Sequence, residues 1–100
     1  MEKVQVFSMH MGRGIEQGRY PEWVVVYERP VVYEYYADAK QVLQERVNEE
    51  VKKLEDAGLD YQFVGEVGTE PVEIISDGKV VFEGGIQPID FVKHNDEKPW

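Results

Sequence analysis

The sequence predicts an α+β fold in which one long amphipathic helix packs on a face of a mixed or antiparallel sheet of five to six strands. Several runs of β-forming residues surround a single helical pattern along the chain. Hydrophobic residues make up 42% of the chain, which is enough for one core. A chain of 100 residues has the length of one domain. We therefore expect a single α+β domain over residues 1–100.

The N-terminal third of the chain predicts three strands. Residues 3–11 begin with β-formers and continue with alternating apolar residues. Residues 12–21 lose this alternation and contain three glycines and one proline, which indicates a loop. Residues 23–27 and 31–36 predict two further strands, separated at Pro30 because proline cannot donate to a central ladder. Aromatic and β-branched residues at successive positions favour central places for both.

Residues 38–57 predict the helix. Apolar residues recur there in steps of four and three, which puts them on one face, and charged residues fill the opposite face. Asp38 is placed to cap the first turn, with Gln41 three residues later. Gly58 suits the left-handed position after the last turn. The predicted buried stripe is Ala39, Leu43, Val47, Val51 and Leu54.

The C-terminal part predicts a further strand and a hairpin. Residues 61–67 alternate as a strand does. Residues 72–76 and 80–83 flank Asp77-Gly78, a pair typical of a two-residue hairpin turn, and Gly84-Gly85 is expected to end the hairpin. Residues 88–92 predict either a short C-terminal helix or a last strand. The polar residues 94–100 are expected to fray.

The net charge of −9 arises entirely after residue 33, because residues 1–33 hold as many bases as acids. Negative charge repels nucleic-acid phosphates, so a basic protein is favoured as the partner over direct nucleic-acid binding. We therefore expect a non-enzymatic acidic protein-binding module, acting as an inhibitor or adapter of a basic, nucleic-acid-binding protein. The alternative is that the acids only solvate a surface. The expected partner-binding residues lie on the outer helix face: Glu45, Glu49, Glu50 and Asp56.

Residues 12–20 offer an alternative site, for a small molecule or a phosphate ligand. Glycines let a ligand approach the backbone closely, and arginines fork onto carboxylates or phosphates. However, no helix follows the segment and no lysine precedes a serine or threonine, as in a phosphate loop. A flexible connection whose arginines pair with distant acids is the other interpretation. The candidate ligand-binding residues are Gly12, Arg13, Gly14, Arg19 and Tyr20.

Few residues in this chain are suited to catalysis. The absence of cysteine excludes disulfides, thiolate chemistry and cysteine-bound metals. Ser8 and His10 share one face of the first strand, but the pattern reveals no third member of a triad. In Met9-His10-Met11 the methionines face away from the histidine, which disfavours a shared soft metal. We expect no catalytic residue, no metal and no cofactor, although an enzyme using the glycine–arginine segment remains an alternative.

Aromatic residues are expected on both faces of the predicted sheet, so each face needs another part of the protein packed against it. Tyrosine and tryptophan are enriched at interfaces, and the single helix covers only one face. The second cover is either the N-terminal hairpin or a second copy of the chain, so a homodimer is a further hypothesis. The aromatic residues are Tyr20, Trp23, Tyr27, Tyr33, Tyr35 and Tyr36.

From residue 31 onward the predicted order is strand, helix, strand, hairpin and short helix. The run 70–75 supplies a proline-started hairpin strand, and the run 77–82 completes the hairpin. This part of the chain resembles thioredoxin-like folds, especially the small selenoprotein-W-like variant. The family's cysteine pair would fall near residues 35–38, which contain no cysteine, so the resemblance implies a cysteine-free adapter and not a redox enzyme.

The sequence also carries a prediction about location. The first residues lack the basic and apolar regions of a signal peptide. No apolar run approaches the ~20 residues of a membrane span. We therefore expect a cytoplasmic protein that does not contact a membrane.

Overall fold

The computed structural model of the chain describes residues 2–68 and 70–93. These residues form one antiparallel sheet of six strands with one helix packed against it, so the predicted α+β class is confirmed. The expected fraying of residues 94–100 lies outside the described residues. The elements are β1 (Glu2–Glu16), β2 (Trp23–Tyr27), β3 (Val31–Tyr33), α1 (Tyr36–Asp56), β4 (Gln62–Val64), β5 (Val72–Ser76) and β6 (Lys79–Lys93).

Two long strands form the middle of the sheet. β1 and β6 each contain 15 residues and pair antiparallel from Glu2↔Lys93 to Arg13↔Phe82. The strand order is β2-β1-β6-β5-β4, and β3 also pairs with β1, through residues 7–9. Because β6 occupies one edge of β1, β2 and β3 share its other edge. The prediction of central places for residues 23–27 and 31–36 is therefore wrong, and their valines are partly exposed at the edge.

The glycines of β1 and β6 lie within strands, where the sequence predicted a loop and a hairpin end. β1 continues to Glu16 because Gly12 and Gly14 pair with β2, and their missing side chains leave room for the rings of Tyr27 and Trp23. A Cβ on Gly12 would lie 2.7 Å from the Tyr27 ring. β6 likewise runs through Gly84 and Gly85 to Lys93. Residues 88–92 therefore continue β6 and form neither a separate last strand nor the short C-terminal helix.

The helix α1 starts two residues earlier than predicted. Tyr35 occupies the N-cap position without a side-chain capping bond, and Asp38 lies in the first turn instead of capping it. Gly58 adopts φ +72 just after the helix, as predicted. α1 packs on β1, β6 and β3. The buried core is Met9, Ala39, Leu43, Val47, Val72, Ile74, Phe82 and Ile86.

The hairpin joining β5 and β6 forms as predicted. Asp77 and Gly78 adopt φ +54 and +72, the two positive values that a type I′ turn needs. β4 is shorter than the predicted strand 61–67 because the chain turns at Gly65, which has φ +82.

The antiparallel sheet does not fit the thioredoxin-like resemblance. In that arrangement the strands before and after the helix are neighbours in the sheet and pair parallel to each other. Here β3 precedes α1 and pairs with β1, whereas β4 follows α1 and pairs with β5, so β1, β6 and β5 lie between them. The cysteine-free thioredoxin-like adapter is therefore not supported by the strand order. Among the described residues, no helix is long and apolar enough to cross a membrane.

Candidate functional site

Glu50, one of the four predicted partner-binding acids, is buried between the helix and the sheet. Only 7% of the residue is exposed. Arg13 Nη2 donates to Glu50 Oε2 at 2.5 Å, and Arg46 Nε donates to the same oxygen at 3.1 Å. Arg46 also donates to both carboxylate oxygens of Glu28, and the Lys53 ammonium lies 3.6 Å from Glu50. Glu50 therefore belongs to an internal ion-pair network and offers no surface to a partner.

The network keeps its carboxylates charged. Burial alone raises the pKa of Glu50, but the hydrogen bonds from Arg13 and Arg46 outweigh burial and bring the pKa below its ordinary value. The hydrogen bonds from Arg46 lower the pKa of Glu28 in the same way. The Arg46 guanidinium also lies 5.8 Å from the centre of the Phe82 ring. The network therefore ties the helix to β1, to the buried face of β6 and to the residue after β2.

The other three predicted acids lie on the outer surface of α1. Glu45, Glu49 and Asp56 are all exposed. Lys52 Nζ donates to Asp56 at 3.0 Å, and Gln41 donates to Glu45 at 3.3 Å. This face mixes acids and lysines along the helix, so its charge is partly balanced.

The five residues of the predicted glycine–arginine site do not converge. Gly12 and Gly14 lie in β1 beneath Tyr27 and Trp23, and Arg13 points to the opposite face, to Glu50. Arg19 and Tyr20 are exposed in the turn between β1 and β2, where Tyr20 is 95% exposed. The sequence allowed either a ligand site or arginines paired with distant acids. Arg13 is paired with a distant acid, Glu50.

The face of the sheet opposite α1 carries a small polar cluster. The Tyr27 hydroxyl donates to Glu83 Oε1 at 2.6 Å, and His10 Nε2 lies 3.9 Å from the same oxygen. The hydrogen bond to Glu83 and the surrounding negative charge raise the pKa of Tyr27 to about 12. The acid Glu73 pairs in register with Glu83 and so shares this face. Its covering by a second copy of the chain remains a prediction.

The net negative charge is concentrated in one stretch of the chain. Between Lys53 and Lys79 there are seven acids and no lysine, arginine or histidine. We call residues 54–78 the acidic end; they comprise the last turn of α1, β4, β5 and the connecting segments. Its acids are Glu55, Asp56, Asp60, Glu66, Glu70, Glu73 and Asp77.

Four acids of this end lie near the two ends of β4. Asp60 precedes β4 and lines a shallow cavity together with Asp77 of the hairpin turn. The Ser76 hydroxyl donates to the Asp60 carbonyl at 2.7 Å, which fixes these two segments together. Glu66 and Glu70 follow β4 at its other end. Negative charge is therefore available at both ends of the strand.

An apolar groove of about 580 Å³ lies between α1 and β4. It forms because the helix packs on β1, β3 and β6 and leaves the β4 side of the sheet less covered. Val47 and Val51 of the helix face Phe63 and Val72 of the sheet across it. Polar groups at its rim include Gln44, Asn48 and Glu66.

The position of this surface could have been found in the sequence, although comparing the charge before and after residue 33 does not reveal it. A base-free run of acids that ends at a hairpin turn is visible without coordinates, and it marks residues 54–78. The step of three from Val47 to Glu50 likewise puts Glu50 on the buried stripe. No group of three or more metal-ligating side chains occurs within the described part of the chain.

The fold and this surface define an antiparallel α+β protein with a groove and a concentrated negative charge at one end of its sheet. Comparison with protein-family models, with curated proteins and with solved structures found no match for this chain.

Proposed function

We propose that this chain is a non-enzymatic protein-binding module whose acidic end engages a partner with a basic surface. The observation that carries the proposal is a stretch of seven acids without a base among them, four of which, Asp60, Glu66, Glu70 and Asp77, lie before and after the edge strand β4 beside an apolar groove. Apolar contact gives an interface affinity, and charge around it selects the partner and speeds encounter.

Two features support the acidic end over the helix surface as the contact. The bases of the helix already have acidic partners: Arg46 pairs with Glu28 and Glu50, and Lys52 pairs with Asp56, the one acid of the acidic end with a basic partner among the described residues. At the acidic end, Asp60, Glu66, Glu70 and Asp77 take part in no ion pair within the described residues. Keeping like charges close together reduces stability, so their concentration favours a binding role.

Negative charge also restricts the kind of partner. Phosphate backbones are repelled, whereas a protein that itself binds nucleic acid presents lysine and arginine on its surface. An inhibitor or adapter acting on such a protein in the cytoplasm is the specific form of the proposal.

A set of charge-neutralising substitutions tests the proposal. In the test variant, D60N/E66Q/E70Q/D77N, asparagine at position 77 retains a residue that tolerates positive φ. The matched control, E16Q/E22Q/E34Q/D38N, removes the same charge at exposed positions outside the acidic end. Binding of both to a lysine-rich peptide is measured by fluorescence anisotropy at low salt and at about tenfold higher salt.

We expect the test variant to lose about tenfold or more in affinity and the control to lose much less. The affinity of the unmodified chain should fall as salt rises. Equal losses in the two variants, or an affinity that salt does not change, would overturn the proposal. A third variant, E45Q/E49Q, identifies the outer helix face as the contact if it alone weakens binding.

A further inference from the structure

β4 is the last strand on one side of the sheet. It pairs with β5 on one edge, and within residues 2–68 and 70–93 no strand pairs with its other edge. Its three residues, Gln62, Phe63 and Val64, contain neither charge nor proline, the devices that commonly protect an edge. The backbone of β4 is therefore open to pairing with another strand.

The surroundings of β4 are unusually apolar for a surface. Phe63 and Val64 are 49% and 48% exposed, and Leu59 nearby in the chain is 53% exposed. Phe63 shares the face of Ile74 and borders the groove, whereas Val64 pairs with Glu73 on the opposite face. A strand added at this edge thus meets the apolar groove on one face and lies beside Gln62 and Val64 on the other, with the Glu73 carboxylate one strand further in.

Charge decides what kind of strand fits. A second copy paired through the same edge would bring two acidic ends together, which like-charge repulsion opposes. A nucleic acid meets the same repulsion. A segment that carries lysine or arginine is instead attracted by Asp60 and Asp77 at one end of β4 and by Glu66 and Glu70 at the other.

We propose that an extended, basic segment of a partner protein adds as a strand to the free edge of β4, with its apolar side chains in the groove beside Phe63. This inference rests on the proposed function and specifies its mode of binding. Strand addition obtains affinity from backbone hydrogen bonds and specificity from alternate side chains. The segment it selects alternates apolar and basic residues, since successive side chains of a strand point to opposite faces.

Two peptides of equal composition test the alternation. One peptide alternates valine and lysine, and the other contains the same residues as a block of valines and a block of lysines. We expect the alternating peptide to bind at least about tenfold more tightly, and to slow amide hydrogen exchange in residues 62–64. Equal binding of both would overturn strand addition and leave the proposed function standing. Binding of neither would contradict the proposed function as well.

Backbone pairing is tested by N-methylation of the alternating peptide. In a strand, every second N–H points to the same neighbour, so methylating one alternate set blocks pairing and methylating the other set does not. We expect one set to abolish binding and the other to leave most of it. Equal effects of the two sets, whether both lose or both retain affinity, would overturn the inference.

The groove is tested by a matched pair of helix substitutions. Asn48 is exposed and lines the groove, whereas Gln41 is exposed on the same helix outside it. N48W fills the groove and should weaken the alternating peptide about tenfold, whereas Q41W should leave its affinity unchanged. Equal affinities of the two variants would remove the groove from the interface.

Discussion

Glu50 and Glu66 are both glutamates, but one is buried among basic side chains and the other is exposed where no base is near it in the sequence. Glu50 is buried between helix and sheet, where Arg13, Arg46 and Lys53 surround it. Glu66 lines an open groove in a stretch of chain that contains no base. Net charge alone therefore says little about function, because some acids hold the fold together while others have no basic neighbour in the sequence around them.

The largest effect should come from removing the buried carboxylate. Glu50→Ala leaves Arg13 and Arg46 without their shared acceptor, and should lower the free energy of unfolding by about 2 kcal/mol. Glu28 still pairs with Arg46, and Arg13 is half exposed, which keeps the loss below that of a fully buried pair. Urea unfolding measures it, with Glu49→Ala as the exposed neighbouring control. Equal stability of the two variants would mean that Glu50 does not stabilise the fold.

The pH dependence of stability should show the same network. Because the pKa values of Glu50 and Glu28 are lowered by folding, the unfolded chain binds more protons than the folded chain. Their stabilisation is complete above the ordinary value of 4.5 and is lost as pH falls through the lower, folded values. Urea midpoints of the unmodified chain should therefore fall more steeply below that pH than those of Glu50→Gln. Parallel profiles would contradict the assignment.

Neutralising the acidic end should have a smaller effect of opposite sign. The variant D60N/E66Q/E70Q/D77N removes like charges that repel one another, so it should be more stable by up to about 1 kcal/mol at low salt. The gain should shrink as salt screens the repulsion. Thermal unfolding at two ionic strengths measures this effect. A loss of stability would mean that these acids also make structural contacts.

The exposed pair on the helix should matter least. Lys52 and Asp56 lie one turn apart with exposed side chains, so Lys52→Ala should change stability by less than about 0.5 kcal/mol. Chemical denaturation against Lys40→Ala, on the same helix, provides the reference. A loss as large as that of Glu50→Ala would place this pair with the structural network.

Local sequence patterns predicted the helix and the hairpin. The features that they did not predict depend on packing between residues that are distant in sequence. The stripe from Ala39 to Leu54 and the pair Asp77-Gly78 depend only on neighbouring residues, and both formed as expected. Gly12 and Gly84 look like turn residues in sequence, but in the structure they admit a Tyr27 ring and a Leu43 methyl group from other elements. No local rule contains those contacts.

The candidate site likewise has features that the sequence predicts and features that depend on the fold. The surplus of acids was visible in the sequence, whereas its position depended on pairings that only the fold supplies. Helix periodicity puts Glu50 on the inward face, but its partner Arg13 comes from a strand that is distant in sequence. The groove exists because α1 packs on β1, β3 and β6, which periodicity within the helix does not determine.

The pairing of β1 with β6 joins the two ends of the described chain, from Glu2↔Lys93 inward. During synthesis β1 leaves the ribosome before β6 and lacks this central neighbour until β6 follows it. Contacts so distant in sequence give the protein a high contact order, which slows folding. Until then β1 has the short β2 and β3 as partners on one edge only, so the newly made chain has an open edge at which aggregation can start.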